Sequence, residues 1–180
     1  MRNKTWIYLG VVLLVLVPLA AQQGNLLQPK SSITVRDSKG KPVGAMIDAH
    51  LPNYVMPIPV VLFKAGQQFI TLGARPDNLL GNRGVLLFTT PDCSGTPYFY
   101  FTGPSLIADS FVTNDGTLYV SRAGAPVEAL YSGSYYYGEE NFPNPQPCRA
   151  QPFAMGPFQV VAAQAEGNVN QMFQPPFSLH

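Results

Sequence analysis

Charge, cysteine and histidine are all scarce in this sequence, and each scarcity closes a class of function. Charged side chains make up 12% of the 180 residues, about half the usual share. The 11 basic residues nearly balance the 10 acidic ones. A chain so weakly charged has no electrostatic footprint for nucleic acid or for an anionic membrane surface. The two histidines are His50 and the terminal His180. Acid–base chemistry near neutral pH, which most often uses imidazole, therefore has one internal candidate. The two cysteines, Cys93 and Cys148, have no Cys or His partner at the short spacing that pre-forms a zinc site. Long apolar runs are missing too. The longest, Trp6 to Val17, has about 12 residues, whereas a bilayer span needs roughly 20. From Gln22 to His180 nothing reads as an amphipathic helix of about 12 residues.

What is present starts with an export signal. "MRNKTWIYLGVVLLVLVPLAAQQ" places Arg2 and Lys4 before the apolar run and ends it on Ala20-Ala21. A basic flank, a short apolar core and small residues at the end are the parts of a secretory signal. Residues 1–21 are expected to be removed and residues 22–31 to form a flexible lead. Residues 32–180 then form a single β-rich domain. Losing Arg2 and Lys4 leaves nine basic and ten acidic residues. The destination is periplasmic or extracellular, with membrane contact only through the signal before cleavage.

In the remaining chain the hydrophobic period is two. "SITVRDSKGKPVGAMID" puts Ile33 and Val35 on one face, turns at Asp37-Ser38-Lys39-Gly40, and resumes with Val43, Ala45 and Ile47. Gly40 is available for the positive φ of a hairpin turn. "PVVLFKAGQQFITLGA" repeats the plan around Lys64-Ala65-Gly66-Gln67, and "SFVTNDGTLYVSR" repeats it around Asn114-Asp115-Gly116. "GVLLFTT", "PYFYFT", "APVEALYSGSYYY" and "GPFQVVAAQA" supply further strands. "PDNLLGN" has room for one helical turn. The 16 Gly and 18 Pro fit many turns and strand ends. About ten short strands imply an all-β antiparallel fold, a sandwich or a partly closed barrel built from hairpins with long Pro/Gly-rich loops. The longest such loop is "GEENFPNPQPCRAQP", Gly138 to Pro152.

An exported protein with two cysteines is expected to join them, so Cys93 and Cys148 form a disulfide. It closes a loop worth roughly 4 kcal/mol in chain-entropy terms. Other chemistries fit poorly. Ser38 and Lys41 match S-x-x-K in form but sit in a hairpin turn, not at the start of a helix. His50 would be the base of any Ser-His-Asp set and reads as a loop residue. Glu139 and Glu140 are adjacent and point apart in extended chain, so they cannot form a glycosidase pair by themselves. Asp92, Asp109, Asn114 and Asp115 lack EF-hand spacing and fit turn geometry. No motif calls for a cofactor or a metal. The aromatics stand out: Tyr98 and Tyr100 alternate with Phe99 and Phe101. If the two phenylalanines face the core, the two tyrosines face out. With Tyr135 and Tyr137 they form candidate binding clusters for a glycan or a cell-surface partner.

Five stretches together resemble a group of exported bacterial proteins and β-rich C-terminal modules: "VRDSKGKPVG" (Val35–Gly44), "TTPDCSGTPY" (Thr89–Tyr98), "GTLYV" (Gly116–Val120), the later Cys148, and "FQPPFSLH" (Phe173–His180). The resemblance covers roughly residues 33–180. Similar modules sometimes follow collagen-like or fibre-like segments, and no such segment lies in this sequence. The resemblance implies an exported β-rich module and no active site. The first expectation is thus a disulfide-stapled module with a structural or binding role and no catalysis. The second is a carbohydrate- or surface-binding module using the tyrosines. An exported hydrolase comes third.

Overall fold

The computed structural model of the protein describes residues 32–49, 57–137 and 148–180. Every expected hairpin turn forms. Strands β1 (Thr34–Arg36) and β2 (Pro42–Asp48) flank the Asp37–Gly40 turn, where Gly40 takes φ 77°. Strands β3 (Val60–Ala65) and β4 (Gln68–Ala74) meet at Gly66-Gln67. Strands β8 (Ser110–Val112) and β9 (Thr117–Ser121) meet at Asn114-Asp115-Gly116. Strands β6 (Val85–Phe88) and β7 (Pro97–Tyr100) flank the Cys93 turn, with Pro97 opening its strand as edge chemistry allows. Strand β10 (Val127–Tyr137) and the 20-residue β11 (Arg149–Asn168) follow. The helix α1 (Val169–Met172) is one turn long, and Asn168 caps it by accepting from the Asn170 and Gln171 amides. Strand β12 (Ser178–Leu179) ends the chain.

The strands form two antiparallel sheets. One runs β12-β1-β2-β3-β4 and ends on β5 (Leu79–Gly81), curling into a half-barrel. The other runs β10-β6-β7-β11-β9-β8, and a further β10–β11 pairing closes β10, β6, β7 and β11 into a four-stranded barrel. The fold is therefore all-β and antiparallel. Main-chain and side-chain bonds stitch one sheet to the other. The Asn82 amide donates to Ser110 Oγ, the Ser110 amide donates back to Asn82 Oδ1, and Ser110 Oγ donates to the Thr71 carbonyl. Val35, Val61, Ile70, Leu72, Leu118 and Val120 make the larger core, all essentially without solvent contact. Leu86, Phe88, Phe99, Phe111 and Ala163 make a second. Burying each large apolar side chain contributes about 1.5–3 kcal/mol.

Four expectations need correction. "PDNLLGN" makes a strand, β5, not a helical turn. Leu79 joins the larger core while Leu80 packs with Ile58 and Val60. Both faces are buried, which hides the period of two. Ile33 lies outside β1 and is exposed, so it does not share the burial of Val35. In β2 only Val43 is buried. The register shifts between Met46 and Asp48, leaving Ile47 as an unpaired, exposed bulge residue, and Ala45 is exposed as well. Phe101 lies past the end of β7 and is 38% exposed, so it does not pair with Phe99 in the core.

Cys93 and Cys148 are bonded, with their Cα atoms 5.9 Å apart. The bridge ties the β6–β7 turn to the start of β11. Ser134, fully buried on β10, supports that turn by accepting from the Cys93 amide and donating to the Thr90 carbonyl. Two of the sequence motifs also meet. The Asp37 carboxylate accepts from the Lys39 and Lys41 amides at 2.9 and 2.8 Å and from the Gln174 amide at 3.1 Å. Lys41 Nζ donates to the Met172 carbonyl and lies 4.8 Å from the Phe173 ring centroid. The β1–β2 turn thus pins the C-terminal segment, and β12 then pairs with β1.

Burial pushes the Asp37 carboxyl pKa up. The Gln174, Lys41 and Lys39 amides and the Lys41 charge outweigh burial, and the group titrates below its ordinary value. A depressed carboxyl pKa stabilises the fold above the unfolded value of about 3.9 and loses that contribution as pH falls through the folded value. Amide exchange at Gln174 and Lys41 is therefore expected to quicken in acid before exchange in β3–β4 does. Asp37→Ala should produce the same loss at neutral pH. Unchanged protection of Gln174 in that variant would contradict the clamp.

Candidate functional site

The tyrosine clusters lie in a different setting from the one expected. Register sets Tyr135, Leu87, Tyr98 and Ala162 side by side across β10, β6, β7 and β11. Neighbours in one row share a face. That face holds the buried Leu87 and Val160, and Tyr98 borders a narrow apolar gap with them, Leu130 and Phe158. Tyr100 meets Phe158 edge-to-face at 5.1 Å. Tyr98, Tyr100 and Tyr135 are all half-buried. Burial, then the neighbouring Tyr135, raises the Tyr100 pKa. Tyr137 pairs with Val85, and its side chain lies outside the described residues. Tyr98 and Tyr100 thus pack against neighbours of the small barrel instead of standing on a flat open row. Tyr136 turns to the opposite side, stacking on Phe111 and meeting Phe88 edge-on.

The carboxylates weighed from the sequence are taken up by their own surroundings. Hydrogen bonds from the Ser94 hydroxyl and amide and from Thr90 lower the Asp92 pKa. The Thr113 and Thr117 hydroxyls and the Thr117 amide likewise lower that of Asp115, against some burial. Asp109 is ion-paired with Arg83 at 2.7 Å. Ser38 and Lys41 sit in the β1–β2 turn, and Lys41 is engaged by Met172 and Phe173. His180 is exposed beside Ser178, and its amide and carbonyl pair with Thr34. His50, Glu139 and Glu140 lie outside the described residues.

A different place gathers exposed aromatic surface. Between β4 and the segment after β7 runs an open groove of about 550 Å³, within the size range of small-molecule sites. Phe69 projects from β4 and is 49% exposed. Phe101 stands across from it, and Leu106 on the intervening loop is 101% exposed. Ala108 and Val161 also line the groove, and the Arg122–Ala125 turn forms one rim. The loop is held in place by the Ala108 amide, which donates to the Phe69 carbonyl at 2.8 Å, in a parallel bridge of Ile70 with Ala108. Gly103 takes φ 117°, a conformation other residues rarely adopt, where the chain leaves Phe101 and enters the loop. Other large apolar side chains are exposed elsewhere, Ile33, Ile47, Val127, Tyr131 and Leu179 among them, but Phe69, Phe101 and Leu106 line one concavity.

Sequence reasoning passed over this groove. One signal was available: Phe69 falls on the Gln67–Thr71 parity of its hairpin, opposite the buried Ile70 and Leu72. An aromatic ring on the polar side of a strand has left the core. The loop half of the site, "GPSLIA", has no periodicity to read.

No family model matches this chain, and no curated protein or solved structure is found to be similar to it.

The two neighbouring phenylalanines should separate cleanly. Phe99 is fully buried, so Phe99→Ala is expected to cost about 3–5 kcal/mol in denaturant unfolding. Phe101→Ala should cost less than about 1 kcal/mol. Equal losses would place Phe101 in the core after all.

Proposed function

We propose that the protein is an exported, disulfide-stapled β module that binds and does not catalyse, with the Phe69–Phe101–Leu106 groove as its binding surface. The groove carries the reading: solvent-facing aromatic and aliphatic groups converge on one concavity fixed by main-chain bonds. Supporting export are the basic, apolar and small-residue order of residues 1–21 and a disulfide, which persists in oxidising compartments. The resemblance to exported bacterial β-rich modules points the same way. Supporting a non-catalytic role, Asp37, Asp92, Asp109 and Asp115 hold turns or an ion pair, so none of them is poised for proton transfer. Carbohydrate or cell-surface recognition remains the kind of binding expected. Its residues move from the tyrosines, which are half-buried around the small barrel, to the groove.

Co-sedimentation of the mature protein with insoluble envelope material tests this. Wild type should pellet with it. A folded Phe69→Ala/Phe101→Ala/Leu106→Ala variant should stay in the supernatant, with only a modest loss of melting stability because none of the three side chains is fully buried. Retention by that variant would remove the groove from the account. Failure of wild type to pellet would contradict surface binding.

A further inference from the structure

The charge around the groove narrows what it takes. Asp109, the carboxylate that lines it, is neutralised by Arg83, whose guanidinium also donates to Thr102 Oγ1 at 2.5 Å. Arg122, on the opposite rim, is exposed and has no carboxylate partner among the described residues. Lys64, across the hairpin from Phe69, is exposed but is not part of the lining. Glu166 lies past the β3–β4 turn, close to Gly66, accepts from Gln164 and is not part of the lining. With Asp109 paired to Arg83, Arg122 is the one lining charge left without an opposite partner among the described residues.

The hydrogen-bonding pattern narrows it further. An extended peptide adding to β4 would need that strand's outward groups, but the Phe69 carbonyl is taken by Ala108 and the Thr71 carbonyl by Ser110 Oγ. A wholly apolar ligand would leave the Arg122 charge beside it, in a groove open to water. A sugar fits both walls. The C–H face of a pyranose lies against a phenyl ring, whose π face is negative. Its hydroxyls can meet the Gln67 amide at the rim. A carboxylate on the ring offers Arg122 a planar, two-point partner.

We propose that the groove binds an acidic glycan, a saccharide bearing uronic acid residues, with Phe69 and Phe101 as stacking surfaces and Arg122 as the carboxylate reader. This rests on the groove being the binding surface.

The test is calorimetric titration of the mature protein with α-1,4-linked trigalacturonate and with its uncharged counterpart, α-1,4-linked galactotriose. The acidic sugar should bind about fivefold or more tightly than the neutral one, the scale of a charge-assisted contact at a partly wet site. The preference should shrink as salt rises. Arg122→Ala should abolish the preference while leaving galactotriose binding and melting unchanged. Phe69→Ala/Phe101→Ala should weaken both sugars. Equal affinities in wild type, a preference that survives Arg122→Ala, or no binding of either sugar would overturn the acidic-glycan assignment. Tighter binding of the tripeptide Glu-Phe-Glu, lost in the Phe69→Ala/Phe101→Ala variant, would also overturn it and would leave the groove as a binding surface for protein. Envelope binding retained by the groove triple variant would instead remove the underlying reading.

Discussion

The architecture depends on one strand meeting three others. β11 runs for 20 residues, and its hydrogen bonds are shared among β10 from Arg149 to Val161, β7 from Val160 to Ala162 and β9 from Ala163 to Asn168. A flat strand could not serve all three. The register with β10 slips twice, between Leu130 and Ser134, and Gly156 lies so close to the Leu130 carbonyl that an added Cβ would stand 2.7 Å from it. A third slip comes between Ala165 and Gly167 opposite β9. Bulges of this kind bend a strand and increase its twist. Here they let one end of β11 close the small barrel while the other carries β9 and β8 to the half-barrel. The disulfide holds the beginning of that strand to the β6–β7 turn, where the barrel closes.

The groove follows from that junction. β7 pairs with β11 only at residues 160–162, and after Tyr100 the chain leaves the sheet. Phe101 still donates its amide to the Gln159 carbonyl, but its side chain is left partly exposed. The chain crosses to β4, bonds to Phe69 through Ala108, and re-enters the second sheet at Ser110. The space bridged by that crossing is the groove. Main-chain bonds hold it at both ends, and its apolar character comes from the exposed Phe69, Phe101 and Leu106. At the β1–β2 turn the Asp37 clamp does the comparable work of holding the C-terminal segment.

Much of the fold was legible because it is local. Asp37 to Gly40, Gly66, and Asp115-Gly116 announce their turns by residue type, and the strands beside them alternate as half-buried strands do. The disulfide followed from counting cysteines in a chain whose first 21 residues read as an export signal. What stayed hidden is non-local. The β10–β11 pairing that closes the barrel leaves no mark on either strand alone. β5 has buried neighbours on both faces, so Leu79-Leu80 shows no alternation. The run Tyr98 to Phe101 was read as one strand with a dry and a wet side. The strand stops at Tyr100, and a closed barrel gives the tyrosine side neighbours of its own. The tyrosines drew attention by number, whereas Phe69, single and out of phase with its strand, was the more telling residue.

The central claim is that recognition takes place at the groove and not on the tyrosine row. Chemical-shift mapping of the ¹⁵N-labelled mature protein, titrated with solubilised envelope glycan, addresses it in one experiment. The account predicts shifts confined to Phe69, to the amides from Phe101 to Ala108 and to the Arg122–Gly124 turn. Shifts centred on Tyr98, Tyr100 and Tyr135 with the groove silent would contradict it.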